Sequence, residues 1–384
     1  MAIAAVHGMH RTEVDYAWPK ITRPSYDVKL VYLDLNQWIG LAKAAIGHKD
    51  GARYLPALKA ARAAKASGRA IFPLSGTHYM ELAGIGSYRH RCDVAAVMEE
   101  LSQFWTILSR AVLMRVEIEA ALTAWFGERP DPYASITLLN FGVGPAFGMV
   151  GGLRIRNRSG RDVTEEARLE HPDGPEAFDL MLRRMNLEFE RSMLRGPSPK
   201  EATDLRAKGG WDPAVARRIA SERAAAEQAQ VDNLNAQDDG AWWRRNRLRD
   251  ITSGRHFLID INEPATEGLN ARRIRNTDAF TRPPEGSDEP SEVRRFMDSM
   301  PSSDVFVTLV TEMHRNPART WTPNDVFDLD ALAVGVAYCD IVLCDKDKAA
   351  ILKLRKVGER LGTRVTHRLT ELPNLLVEED RATI

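Results

Sequence analysis

Cysteine is scarce in this chain: Cys92, Cys339 and Cys344 are the only three in 384 residues. An odd, small number without paired spacing excludes a disulfide framework and points to a reducing compartment. No CxxC pair or Cys/His spacing accompanies them, so a zinc site is not expected and they read as small buried hydrophobes. Net charge is absent as well, 53 Lys plus Arg being matched by 53 Asp plus Glu. That argues against a protein that coats nucleic acid over its whole surface, and leaves room for one local basic patch. No run reaches the roughly 18–20 uncharged apolar residues of a membrane helix. The opening MAIAAVHGMHRTEVDYAWPK has a short apolar start, no basic flank before it and no long apolar stretch, so a secretory leader is not expected either. No membrane association and a cytoplasmic location are therefore expected. No internal repeat is visible.

Hydrophobic residues at 44% and charged residues at 28% exclude a wholly disordered chain. The length suits one large domain with an insertion, or two domains. VKLVYL (28–33) is a continuous apolar run suited to a strand covered on both faces. Asn36 is expected to cap a helix carrying Trp38, Ile39 and Leu41, and a second helix, about 53–66, stops at Ser67-Gly68. AIFPL (70–74) reads as a strand with Pro73 at its end, and Ser75 as the N-cap of a helix that sets Glu81 in its second turn. Residues 93–126 read as helical throughout. Between 127 and 295 the character changes. GVGPAFGMVGGLRIRNRSG reads as loop or hairpin, ERSMLRGPSPKEATDLRAKGGWDP as a breaker-rich connection, Asp212-Pro213 as a helix start and 276–293 as a polar linker. Strand-and-helix alternation then returns, with helices at 302–316, 328–338 and 346–362 and strands at 340–344 and 363–367. The pattern predicts one α/β domain, a parallel sheet faced by helices, assembled from 28–126 and 300–375. Residues 127–295 are expected to form a mostly helical insertion and 1–27 an N-terminal extension.

Four carboxylates fall at comparable places. Asp34 ends the first strand, Glu81 lies on the helix after the second, Asp328 opens a helix with Asp330 two residues on, and Asp345 ends the strand IVLC. In an open parallel sheet ligands gather outside the carboxyl ends of the strands, and these acids belong to that edge. Several carboxylates at one place cannot all stay ionised without a cation, and hard oxygen ligands suit Mg²⁺ or Mn²⁺. Metal-assisted hydrolysis of a phosphodiester is the chemistry expected. Asp328 and Asp330 lie about 200° apart around a helix, so both cannot face a metal equally. Asp340 is a secondary candidate for the metal, though it reads more readily as the end of a turn. His78, three residues before Glu81 on the same face, either assists the acids or is a surface histidine. The stretch from Trp242 to Arg249 is the most basic and aromatic. Its Trp242, Arg244, Arg245 and Arg247 would suit single-stranded RNA, the indole on an unpaired base and the guanidiniums on phosphates. The competing reading is an amphipathic helix with its Trp residues on the core.

LDLNQW (33–38), the Glu of THYMEL, NDVFDLDALAVGVAYCDIVLCDK (324–346) and RVTHRLTEL resemble the four acidic motifs of PIN-like domain nucleases. The resemblance implies a three-layer α/β/α fold and a metal-dependent endoribonuclease with Mg²⁺ or Mn²⁺ as cofactor, as found among toxins, defence proteins and RNA-processing enzymes. It implies Asp34 as the first metal ligand, Glu81 as the second acid, Asp328 as the third and Asp345 as the fourth, with Asn36 lining the site. It covers roughly 28–125 and 300–375. The long stretch between Glu81 and Asp328 departs from a minimal domain, so the insertion is expected to supply substrate choice or an interaction surface. RNA, a protein partner such as an antitoxin, and a second copy of the chain are the partners it suggests. Two rivals remain. One is a PIN-like scaffold that binds RNA or protein without cutting. The other is a haloacid-dehalogenase-like phosphohydrolase, whose nucleophilic Asp VYLDLN resembles, although that class wants a second Asp where Asn36 stands.

Overall fold

The computed structural model describes residues 27–128, 131–149, 151–280 and 289–377. The expected N-terminal extension lies outside them apart from Asp27, as do residues 281–288 of the expected linker. The chain is a mixed α/β protein, mostly helical around a small parallel sheet.

Strand β1 (Lys29–Leu33) is the continuous apolar run, and Leu30, Val31, Tyr32 and Leu33 are all buried. Successive side chains alternate faces, so Leu30 and Tyr32 join one hydrophobic core while Val31 and Leu33 join another. Helices therefore cover both sides of the sheet. Its order is β2-β1-β5-β6, with β2 at Ala70–Ile71, β5 at Ile341–Leu343 and β6 at Arg364–Thr366. All pairings are parallel, and Val31 lies opposite Ile341 and Leu33 opposite Leu343. The two ends of the described chain are thus zipped together in the middle of the sheet. Parallel pairing sends every strand's carboxyl end to one edge.

Helix α1 (Leu35–Ala45) and helix α2 (Leu55–Ala66) pack on the Val31/Leu33 face through Trp38, Leu41, Leu58 and Ala61. Helix α3 (Gly76–Ala83) follows Ser75 as expected, and helix α4 (Tyr88–Ser102) comes next. The expectation of unbroken helix to residue 126 fails at Gln103 and Phe104, which take left-handed φ of 50° and 60°. Strand β3 (Trp105–Ile107) then runs beside Leu74, whose N–H donates to the Trp105 carbonyl at 2.8 Å. It pairs antiparallel with β4 (Leu139–Phe141) across helix α5 (Arg110–Phe126). Three residues are too few for a period-2 signal to stand out from the helical pattern around them.

The insertion is helical. Helix α6 (Pro175–Arg195) and helix α7 (Pro199–Ala207) occupy much of the stretch expected as a connection, because Ser198 and Glu201 cap each other's backbone at the start of α7. Helix α8 (Val215–Ala236) begins two residues past Pro213. Its Ala220, Ala224 and Val231 share the core of helix α9 (Pro301–Arg315) and helix α10 (Pro323–Tyr338). Ser302 does not cap α9; its N–H and hydroxyl donate to the buried Glu117 carboxylate at 2.9 and 2.6 Å. Helix α10 starts at Pro323 rather than 328, because Thr322 and Asp325 form a capping box. The expected helix 346–362 is two, α11 (Lys346–Leu354) and α12 (Val357–Leu361), parted at Lys356 with φ +52°.

Candidate functional site

Asp34 follows β1 directly, and its N–H donates to the Leu343 carbonyl of β5 at 2.8 Å. Its carboxylate caps α1, accepting from the Leu35 N–H at 2.8 Å. Asp34, not Asn36, is therefore the cap; Asn36 lies one residue inside the helix and its side chain reaches the Asp34 carboxylate. Asp34 stands just before the first helical residue, so its carboxylate already satisfies the first free N–H of the helix. Asp345 has the same role after β5, capping α11 by accepting from the Lys348 N–H at 2.8 Å.

Electrostatics tie the four expected acids together. Burial pushes the Asp34 carboxyl up to about 6, against the Leu35 hydrogen bond, and the Asp345 charge adds to the rise. Burial pushes Asp328 up to about 7 against the pull of Lys348, with Asp34 and Asp345 adding. Glu81 is held well above the usual carboxylate range by burial, then by Asp34 and Asp328. One surplus of negative charge is shared by Asp34, Glu81, Asp328 and Asp345. A cleft of about 920 Å³ opens onto it, with Asn36, Glu81, Asp328 and Asp345 among its lining residues.

Asp328 and Asp330 point to different partners. Asp328 faces the cluster, whereas Asp330 turns away to Arg110 at 3.0 Å and Arg223 at 3.1 Å. Asp340 stands at the start of β5, where its Oδ2 accepts from the Leu30 N–H at 2.8 Å, at the opposite sheet edge. His78 is neither a surface histidine nor a group that reaches the cleft: it is fully buried. Its Nδ1 accepts from the Ser75 N–H at 3.0 Å and its Nε2 donates to the Leu33 carbonyl at 2.8 Å. Burial pushes its pKa down to about 4, so it is a neutral strut beneath Asp34.

Two participants escaped the sequence reading. Lys348 is almost fully buried, and its ammonium donates to Asp325 at 3.0 Å, Asp328 at 3.1 Å and Asp345 at 3.3 Å. Burial lowers its pKa, but Asp328, Asp345 and Asp325 outweigh that and hold it charged. Asp325 also takes a hydrogen bond from Arg319. The available signal was the i,i+3 spacing of Asp325 with Asp328 and of Asp345 with Lys348.

The basic aromatic stretch lies elsewhere. Arg244 donates to the Val231 carbonyl at 3.1 Å and to Asn235 at 2.6 Å, tying down the end of α8. Arg247 donates to the Glu289 carbonyl at 3.4 Å, and Trp242 is half exposed. Arg245 lines a second, smaller cleft with Arg249 and Arg315. None of the four expected RNA-binding residues lines the acid cleft.

The donor set of carboxylates with surplus charge fits a hard divalent ion by its chemistry. As placed, Asp328 and Asp345 converge with Asp325 on Lys348, and among the described residues no group of three or more His, Cys, Asp or Glu is set to hold a metal ion. No described helix is long and apolar enough to cross a membrane. Compared with family models, with curated proteins and with solved structures, the chain matches none.

Proposed function

We propose that the chain is a PIN-like, Mg²⁺- or Mn²⁺-dependent endoribonuclease. The observation that carries this is the electrostatic coupling of Asp34, Glu81, Asp328 and Asp345 at the carboxyl edge of a parallel sheet, facing a cleft. Asp34, Asp328 and Asp345 would hold the ion, with Glu81 beside them. When bound, the ion supplies an activated water and charge neutralisation at the phosphate being hydrolysed. The protein holds the acids for this by capping: Asp34 and Asp345 are each fixed by a backbone N–H at the start of a helix. Asn36 presents an amide on the cleft wall, suited to orienting a phosphate oxygen. Lys348 balances some of the charge from below and positions Asp328 and Asp345.

One observation favours the non-catalytic scaffold instead: Lys348 already gives the cluster a cation. Calorimetric titration of Mn²⁺, with cleavage of a labelled single-stranded RNA, separates the two. The nuclease reading expects Mn²⁺ binding and EDTA-sensitive cleavage in the wild type, both lost in Asp34→Asn and Asp345→Asn. Cleavage that survives EDTA, or a wild type that never cuts with Mn²⁺ present, would overturn it.

A further inference from the structure

The insertion also contributes to the lining of this cleft. The acids share it with Arg206 at the end of α7, Trp211 in the turn that follows, and Arg217 in the first turn of α8. Both arginines are exposed, and neither guanidinium makes an ion pair or hydrogen bond among the described residues. That sets them apart from the arginines of the second cleft, where Arg249 is taken up by Asp298 and Asp304 and Arg315 by Glu312. Trp211 is only partly buried. Its ring is seated against Gly196, where an added Cβ would meet it at 3.3 Å.

One arginine braces the turn beside Trp211. Arg91 of α4 spends its whole guanidinium on three carbonyls: Arg195 at 2.9 Å, Ile85 at 2.8 Å and Pro197 at 2.7 Å. It thereby ties the turn that seats Trp211 to the turn that follows Glu81's helix. A partly exposed indole and two guanidiniums without partners among the described residues, lining the same cleft as the acids, match the chemistry of a single-stranded polynucleotide. A base stacks on the ring and neighbouring phosphates take the cations.

We propose that Trp211, Arg206 and Arg217 are the strand-binding wall that presents an unpaired stretch of nucleic acid to Asp34, Asp328 and Asp345. This rests on the nuclease reading for its purpose, and on the cleft alone for its binding. The test uses the full chain carrying Asp345→Asn, in EDTA, and reads anisotropy of a labelled single-stranded RNA and of DNA of the same sequence. Trp211→Ala is expected to weaken binding roughly tenfold or more, and Trp211→Phe to keep most of it. Arg206→Ala with Arg217→Ala is expected to lower the salt slope of log affinity by about 1.4. Trp242→Ala with Arg245→Ala is expected to leave both unchanged. The proposal is overturned if neither oligonucleotide binds, or if the Trp211 and Arg206/Arg217 variants bind as the parent does. Failure of the nuclease reading looks different. There the otherwise unaltered protein never cuts RNA with Mn²⁺, while Trp211→Ala still loses binding. A wild type that cuts RNA while Trp211→Ala binds it normally overturns the wall and keeps the nuclease.

Discussion

Lys348 is the residue on which the site's charge balance turns. Removing it leaves Asp325, Asp328 and Asp345 near one another, with Arg319 the remaining cation bonded to them among the described residues. Truncating one partner of a buried ion network costs about 3–5 kcal/mol, so Lys348→Met is expected to lower unfolding stability by about that much in urea titrations. On the metal reading, Mn²⁺ restores a measurable share of the loss; no restoration counts against that reading. Asp34→Asn works in the other direction. It keeps a side chain suited to capping α1 and removes one of four crowded negative charges, so thermal unfolding in EDTA is expected at an equal or higher temperature than wild type. His78 sets a pH limit. Its folded pKa near 4 lies below the usual 6.5 because burial disfavours the charged ring. As pH falls from 6.5 towards 4 the unfolded chain takes up a proton that the folded chain refuses. The stability His78 confers is therefore complete above 6.5 and declines below it, by on the order of 3 kcal/mol. Urea midpoints measured across that range should fall less in His78→Gln than in wild type.

Among the elements, α10 matters most, because it carries Asp328 inward and Asp330 outward. Its turn nearest the sheet has Gly335, where an added Cβ would stand 3.0 Å from Cγ of Tyr32 in β1. A side chain there pushes the helix off the sheet. Overpacking of this kind costs about 1–3 kcal/mol, so Gly335→Val is expected to lower the unfolding temperature and to weaken Mn²⁺ binding together, read by calorimetry on the same sample. The Asp328/Asp330 question also belongs at this scale. Helical geometry required that the two face apart, and the partner of the outward one, Arg223, comes from α8 of the insertion. Likewise β3 is an element only because Leu74 and β4 offer it hydrogen bonds; its three residues carry too little pattern of their own.

Over the whole molecule, the insertion is no appendage. Ala220, Ala224 and Val231 of α8 complete the core between α9 and α10, and Arg91 fastens the turn at 195–197 to the sheet domain. Arg91→Met leaves three carbonyls without their donor, at about 3 kcal/mol. Faster amide hydrogen exchange across 197–217 than in wild type is the expected signature, with exchange in β1 little changed; uniform acceleration everywhere would instead mean that the turn has no separate attachment.

The strand β1 with Asp34 at its tip, the cap at Ser75, the placement of Glu81 and the return of strand pattern near 341 were all legible in the chain alone, because they are local: apolar runs, turn residues and capping chemistry act within a few positions. Three things were not. Which face Asp328 presents, the arrival of Lys348 between the acids, and the lining of the cleft by Arg206, Trp211 and Arg217 rather than by the Trp242–Arg247 stretch all depend on segments far apart in sequence meeting in space. The chain states which side chains carry charge; only the packing of β1 against β5, and of the insertion's helices against α4 and α10, determines which of those charges share the cleft.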